Sequence, residues 1–244
     1  SLILAERLSG DTNPSDRQVI QALGVAAVPV LLIIAQPDLG TVLIIAASVV
    51  TMIAVSGARG RWVVGLLTVG IAGIYLAVST GQVSEYQLKR LRSFVDPLAD
   101  PQASGYQLRQ ARVTIGSGGF LGKGIFEGPQ TNGRFVPEQH TDFSFTVSGE
   151  ELGFLGSAFI LLLFMIILMR AFSIARRTHD LFGKMVCVGV ISWFSFQIFE
   201  NIGMTMGLMP MTGVPLPFLS YGGSSMFATM IGIGLLQNVY QRTR

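Results

Sequence analysis

Six long apolar runs separated by polar breaks set the architecture of this chain. They cover residues 18–36, 42–57, 62–79, 142–169, 185–207 and 219–239. A helix rising 1.5 Å per residue needs about 20 apolar residues to cross the hydrocarbon core of a bilayer, so each run reads as a membrane span. Pro29 lies inside the first run, where a spanning helix tolerates it. Asn13-Pro14-Ser15-Asp16 reads as a turn and helix start ahead of that run. The pattern therefore predicts an all-α polytopic membrane protein with six transmembrane helices, a single membrane domain over 1–244.

Residues 80–141 break the pattern. They contain seven of the seventeen Lys and Arg and four Pro, with no span-length apolar run. Within them, 90–100 reads as a short helix ending at a Pro-rich turn and 105–114 as an amphipathic helix. Residues 116–128 hold six Gly and read as a turning segment. This is one long loop containing short helices.

Composition supports lipid as the solvent. Half of the 244 residues are hydrophobic and 13% are charged, against about 25% charged in soluble domains. The net charge of +3 does not argue for nucleic acid, because short basic loops give the same sum. With six spans, both termini share one side with the loops carrying Arg7, Arg17, Arg59, Arg61, Arg170, Arg176, Arg177, Lys184, Arg242 and Arg244. The opposite short loops, near Asp38 and over 208–218, carry no Lys or Arg. The positive-inside rule places the termini in the cytoplasm and the long loop, Asp38 and 208–218 outside it. Cys187 stands alone in an apolar run, so there is no disulfide framework.

Candidate chemistry gathers where the long loop enters the fourth run. Glu138, His140, Asp142, Glu150 and Glu151 crowd this junction. Like charges and desolvation raise a carboxylate's pKa, the tuning a general base needs, and Asp142 is the favoured base. Its plainer role is a helix N-cap, or Thr141 caps and Asp142 sits in the first turn. Glu150 follows eight residues later on roughly the same helical face, about 12 Å along the axis. Glu200, inside a span, is either functional or an interhelical hydrogen-bond partner of Asn201 or Ser192.

Three tempting motifs fail. The glycine run 116–124 lacks the Ser or Thr that a phosphate loop needs after Gly-Lys, and Leu121 stands where a dinucleotide fingerprint needs its third Gly. It is a bare turn, or a turn whose N–H groups and Lys123 contact a diphosphate. Glu138, His140 and Asp142 lack zinc spacing, while a weakly held divalent ion remains open, with Asp142 as a ligand. Ser220 lacks the nucleophile-elbow glycine.

Four motifs, in order, resemble the SEDS family of RodA and FtsW proteins. They are Pro37-Asp38-Leu39-Gly40-Thr41, Pro137-Glu138-Gln139-His140-Thr141-Asp142-Phe143, Gly149-Glu150-Glu151-Leu152-Gly153, and the run from Asn201-Ile202-Gly203 through Ser220-Tyr221-Gly222-Gly223-Ser224-Ser225. The segment Gly122-Lys123-Gly124 with Gly128-Pro129-Gln130-Thr131 leans toward the RodA branch.

The resemblance implies a peptidoglycan glycosyltransferase of the bacterial cytoplasmic membrane, polymerising lipid II at its outer face. A class B penicillin-binding protein would be its partner within the elongation or division complex. Asp142 carries over as the essential aspartate. Glu138, His140, Thr141, Glu150 and Asp38 are implied as supporting residues. Lys123, Arg109, Gln130, Thr212, Pro215 and Ser220 are implied as substrate contacts, with Mg²⁺ or Mn²⁺ as a candidate ion. Family members have roughly ten helices, so the resemblance also implies four further helices before this chain and a Gln-Pro-Ser-Glu segment within them. A lipid flippase or transporter, an FtsW-like division polymerase and a scaffold that activates the penicillin-binding partner are the alternative readings.

Overall fold

The computed structural model describes residues 2–9, 14–36, 38–81, 84–96 and 104–243. The described residues form eleven helices: α1 Leu2–Leu8, α2 Asp16–Ile34, α3 Leu39–Val55, α4 Gly60–Ser79, α5 Glu85–Val95, α6 Ser104–Ser117, α7 Pro129–Asn132, α8 Ser144–Glu151, α9 Gly153–Arg177, α10 Leu181–Met206 and α11 Gly223–Arg242. The Pro-rich turn expected near 96–100 falls outside the described residues from 97 onward, as does Pro37.

Among the described residues, four helices are long and apolar enough to cross a membrane: α2, α4, α9 and α10. The sequence expectation was six. Helix α3 has 17 residues and is shorter than the other four. Helix α11 is long enough, but Ser224, Ser225, Thr229, Gln237 and Asn238 dilute its apolar content. Helix α4 buries none of its residues against protein, and Val64, Leu67, Val69, Ile71 and Ile74 are all exposed. A helix apolar on every side with no fully buried residue belongs in lipid. Helix α10 is the opposite case, with 56% of its apolar window buried inside the protein.

The chain divides into two compact units. The first holds Ser1–Ser84, Leu168–Phe196 and Met230–Arg244, and the second holds Glu85–Ile167 and Gln197–Thr229. In the first unit, α2 begins where the sequence expects a helix start, and Ser15 caps it: its hydroxyl accepts from Gln18 N, and the Gln18 side chain accepts from Ser15 N at 2.7 Å. This reciprocal capping box satisfies two donors that a helix start leaves orphaned. Asp16 then ties α2 to the start of α4, accepting from Trp62 Nε1 at 2.8 Å and from Arg59 and Arg61.

The second unit corrects one span. Residues 142–169 were expected as one helix, but the chain breaks between α8 and α9. Gly153 has φ +66°, and a Cβ there would stand 2.2 Å from Gly122 N. The glycine segment 118–124 fills the break. Lys123 N and Gly124 N donate to the carbonyls of Glu150 and Glu151 at 2.9 and 3.1 Å, while Phe154 N and Leu155 N donate to the carbonyls of Gly119 and Phe120. The last carbonyls of one helix and the first N–H groups of the next are thus satisfied by a single loop. A side chain at Gly122 would collide with Glu151 O at 2.1 Å, so close backbone approach is what the glycines supply. The run is a turn, with the Lys123 and Gly124 N–H groups engaged by α8 and the Lys123 side chain exposed.

Candidate active site

The segment before α8 is pinned by packing. Val136 and Phe143 are each 1% exposed and cluster with Leu108, Ala111 and Met211. Between these anchors the backbone turns on one atom: Glu138 O accepts from the N–H groups of Thr141, Asp142 and Phe143 at 3.3, 3.1 and 3.0 Å. Burying Phe143 while closing this turn leaves the half-buried Asp142 just outside the helix. Phe143 occupies the N-cap position and no side chain caps it, so neither Asp142 nor Thr141 plays the capping role considered from sequence.

Helix α10 holds the other side of Asp142. Asn201, fully buried, donates from Nδ2 to Asp142 O at 2.7 Å and to Val214 O at 2.6 Å. Gln197, one turn earlier, donates to Pro215 O at 2.7 Å. Two amides on one helix face therefore tie the Pro-rich segment to the residue carrying the carboxylate. Between Met211 and Pro215, Gly213 has φ +78°, and a Cβ built there would lie 3.2 Å from Asp142 Oδ2 and 3.5 Å from Arg90 Nη1. The Asp142 carboxylate and the Arg90 guanidinium thus converge over bare backbone. Arg90, on α5, sits 4.4 Å from the Tyr86 ring centroid, bonds to the Tyr86 hydroxyl, and donates to Met211 O at 3.4 Å.

The neighbouring polar residues divide by role. Ser220 is buried; its hydroxyl accepts from Leu216 N at 2.7 Å and pairs with Ser144 Oγ at 2.9 Å. It closes a turn and docks that turn onto α8, so its hydroxyl is engaged and covered. The Pro215 carbonyl is likewise engaged by Gln197. Thr212 Oγ1 is buried with no hydrogen-bond partner among the described residues. His140 is exposed, its carbonyl accepts from Tyr221 N at 2.8 Å, and its side chain lines a cleft of about 560 Å³ with Gln139, Ser144, Val147, Ser148, Leu219 and Tyr221. Glu138 is exposed and accepts from Thr141 Oγ1 at 3.1 Å.

Glu150 belongs to a different constellation. It is fully buried and accepts four hydrogen bonds, from Ser117 Oγ and Gln130 N on Oε1 and from Thr131 N and Thr131 Oγ1 on Oε2. Burial pushes its pKa up, but the bonds from Thr131, Gln130 and Ser117 outweigh burial and hold it below the ordinary carboxylate value. The expected crowding of carboxylates at the junction does not reach Glu150, which is a structural anchor for the start of α7. Gln130 serves that anchor through its N–H, and its side chain pairs with Gln110 at 2.5 Å. Lys123 is exposed beside the C-terminal end of α8, bonded through its backbone to Glu150 O, whereas Asp142 precedes the N-terminal end. That puts about 10 Å of helix axis between them. Arg109 Nε donates to Gly105 O at 3.4 Å, within its own helix. Asp38 lies in the first unit, where it caps α3 by accepting from Thr41 N and Thr41 Oγ1 at 3.1 and 2.6 Å.

Among the described residues, no three His, Cys, Asp or Glu side chains converge as a metal-ligand set. A guanidinium beside Asp142 also disfavours a resident cation there. From the sequence, Arg90 was one of seven Lys and Arg in the long loop, while Gly213 and Asn201 entered only within the motif run 201–225 and, for Asn201, as a partner considered for Glu200. The signal in hand for Arg90 was its spacing four residues after Tyr86, which places a cation over a ring on a helix.

Comparison with known proteins follows the same lines. The profile of the FtsW/RodA/SpoVE family, described as cell cycle protein, matches residues 1–244. The stage V sporulation protein E of Bacillus subtilis is 41% identical over 228 residues, 93% of this chain and 61% of the relative. The peptidoglycan glycosyltransferase MrdB of Escherichia coli K12 is 38% identical over 240 residues, 98% of this chain and 65% of the relative. The chain thus spans under two thirds of the length of these curated relatives. Among solved structures, a chain of a peptidoglycan synthase complex that coordinates polymerization and crosslinking superposes with a TM-score of 0.75 at 32% identity, covering 98% of this chain and 66% of that one. The rod shape determining protein RodA of Thermus thermophilus gives a TM-score of 0.60 at 27% identity, covering 98% and 61%. On its sequence and its helical fold, the chain belongs to the FtsW/RodA/SpoVE family, the SEDS proteins that its motifs resembled.

Proposed function

We propose that this chain forms the catalytic part of a RodA-like peptidoglycan glycosyltransferase that polymerises lipid II during cell elongation. The observation that carries the proposal is the Asp142 carboxylate, half-buried, held by its own backbone to Glu138 and Asn201 and set over Gly213 beside Arg90. Relatives named as peptidoglycan glycosyltransferases support the reaction class. The resemblance to a chain from a complex coordinating polymerization and crosslinking supports a transpeptidase partner, a class B penicillin-binding protein in this reading. Both termini face the cytoplasm and the site faces outward, as the loop charges require.

In this reading Asp142 is the general base for the acceptor sugar hydroxyl. The donor is an α-linked diphosphate and the product is β-linked, so the transfer inverts and one base suffices. Protein cations meet the diphosphate charge; a Mg²⁺ or Mn²⁺ ion would arrive with the substrate. General-base assistance contributes about 10²–10⁴ in rate. The full-length Asp142→Asn protein in liposomes should therefore lose lipid II polymerisation by about that factor while retaining wild-type thermal stability. Glycan chains formed at near wild-type rate would remove Asp142 from the mechanism. Movement of lipid II across the vesicle membrane without polymer would instead favour a transporter.

A further inference from the structure

Seven Lys and Arg residues share the stretch from 80 to 141, and the fold sets one of them apart. Lys89, Arg92, Lys123 and Arg134 are exposed. Arg112 is also exposed and donates to Gly207 O at 3.2 Å. Arg109 donates to a carbonyl of its own helix. Of the three atoms nearest the point that a Cβ on Gly213 would occupy, one is Asp142 Oδ2 at 3.2 Å and the other two are Arg90 Nη1 and Nη2 at 3.5 and 3.9 Å.

We propose that Arg90 is the diphosphate-binding residue of this site, meeting the charge of the leaving group while Asp142 faces the attacking hydroxyl. This deepens the glycosyltransferase reading above and rests on it. Three features of Arg90 support the assignment. Arg90 is half-buried, and its guanidinium is held by the Tyr86 ring, the Tyr86 hydroxyl and Met211 O, so it is oriented before any ligand arrives. Those hydrogen bonds use two of its five N–H donors, and a guanidinium fork matches phosphate oxygens in pairs. The backbone beneath it carries no side chain at Gly213, where even a methyl group would crowd Asp142 at 3.2 Å.

The balance of the step assigns the charges. The acceptor hydroxyl oxygen bonds to the anomeric carbon of the donor as that carbon's bond to the diphosphate oxygen breaks. The hydroxyl proton passes to the Asp142 carboxylate. The electron pair of the broken bond leaves with the diphosphate, whose negative charge rises by one as Arg90 faces it.

Geranylgeranyl diphosphate is the probe, titrated against the full-length protein in lipid nanodiscs. Binding requires no turnover, so it separates this assignment from the reaction assignment. Arg90→Met, which keeps the length and apolar stem, should weaken binding about tenfold or more and abolish the preference for diphosphate over geranylgeranyl monophosphate. Arg90→Lys should weaken it about threefold, because a lysine keeps the charge and loses the fork. Asp142→Asn should bind as tightly as wild type or tighter. Uncharged geranylgeraniol should bind all variants equally. Wild-type diphosphate affinity in Arg90→Met overturns the proposal, as does an equal loss of diphosphate and geranylgeraniol. Should Arg90→Met fail to fold, Arg90→Lys decides by the same two criteria. If the wild-type protein shows Arg90-dependent diphosphate binding yet makes no polymer from lipid II, the transferase reading fails and the Arg90 assignment stands.

Discussion

Glu150 offers the prediction with the best-defined magnitude. Its two oxygens accept four hydrogen bonds in a fully buried setting. Replacing it with Gln keeps the volume but turns one oxygen into an NH₂ donor. Whichever way the amide faces, at least one of the backbone N–H groups of Gln130 and Thr131 then meets a donor. A buried donor left unpaired costs about 1–3 kcal/mol, and the remaining bonds lose the charge that made them worth about 1.5–3 kcal/mol each. A net loss of about 2–4 kcal/mol follows for Glu150→Gln, and somewhat more for Glu150→Ala, which orphans both N–H groups and leaves a cavity. For a chain of this size that corresponds to a drop in Tm on the order of 5–15 °C.

The pH dependence has a definite sign. The folded-state pKa of Glu150 lies below the ordinary value of 4.5. Its contribution is therefore fully present above the unfolded value and is lost as pH falls through the lower folded value. Thermal unfolding of wild type and Glu150→Gln in detergent, followed by tryptophan fluorescence at pH 7 and then down to the acid limit, measures both effects. The gap should be widest at neutral pH and narrow only below about pH 4.5. A gap under about 0.5 kcal/mol at pH 7, the range of an ordinary surface substitution, would refute the reasoning. Activity should follow stability, because Thr131, which bonds Glu150, also accepts from Gln139 at 3.1 Å, three residues before Asp142.

Two further substitutions test the site's frame. Gly213→Ala places a residue with a Cβ at φ +78°, at a cost of about 1–2 kcal/mol; it should give folded protein whose polymerisation falls at least about tenfold as Asp142 is displaced, read by glycan chain assay beside a melting curve. Ser220→Ala removes the acceptor for Leu216 N and the partner of Ser144; it should cost about 1–2 kcal/mol of stability and leave the KM for lipid II unchanged, and a raised KM in a protein of wild-type stability would make Ser220 a substrate contact.

The local features of this protein were legible in its sequence. The apolar runs placed α2, α4 and α10 to within a few residues, because helix length in lipid follows from bilayer thickness. The start of α2 was legible because Asn13-Pro14-Ser15-Asp16 is a local turn and helix-start signal, and α6 because its pattern is self-contained. Asp142 stood out because a carboxylate at the mouth of an apolar run is conspicuous. Tertiary structure decided which polar groups meet. The break between α8 and α9 is set by a glycine loop about thirty residues upstream, so an apolar run read as one span becomes two helices. Glu150 resembled a rival to Asp142 until the N–H groups of Gln130 and Thr131, twenty and nineteen residues away, proved to be its partners. Asn201 reaches Asp142 across 59 residues, and Arg90 reaches Met211 across 121. Pairings at such separations come from helix packing rather than from any local pattern. For that reason the sequence could nominate the carboxylate, while the folded chain alone identified Arg90 and Gly213 beside it.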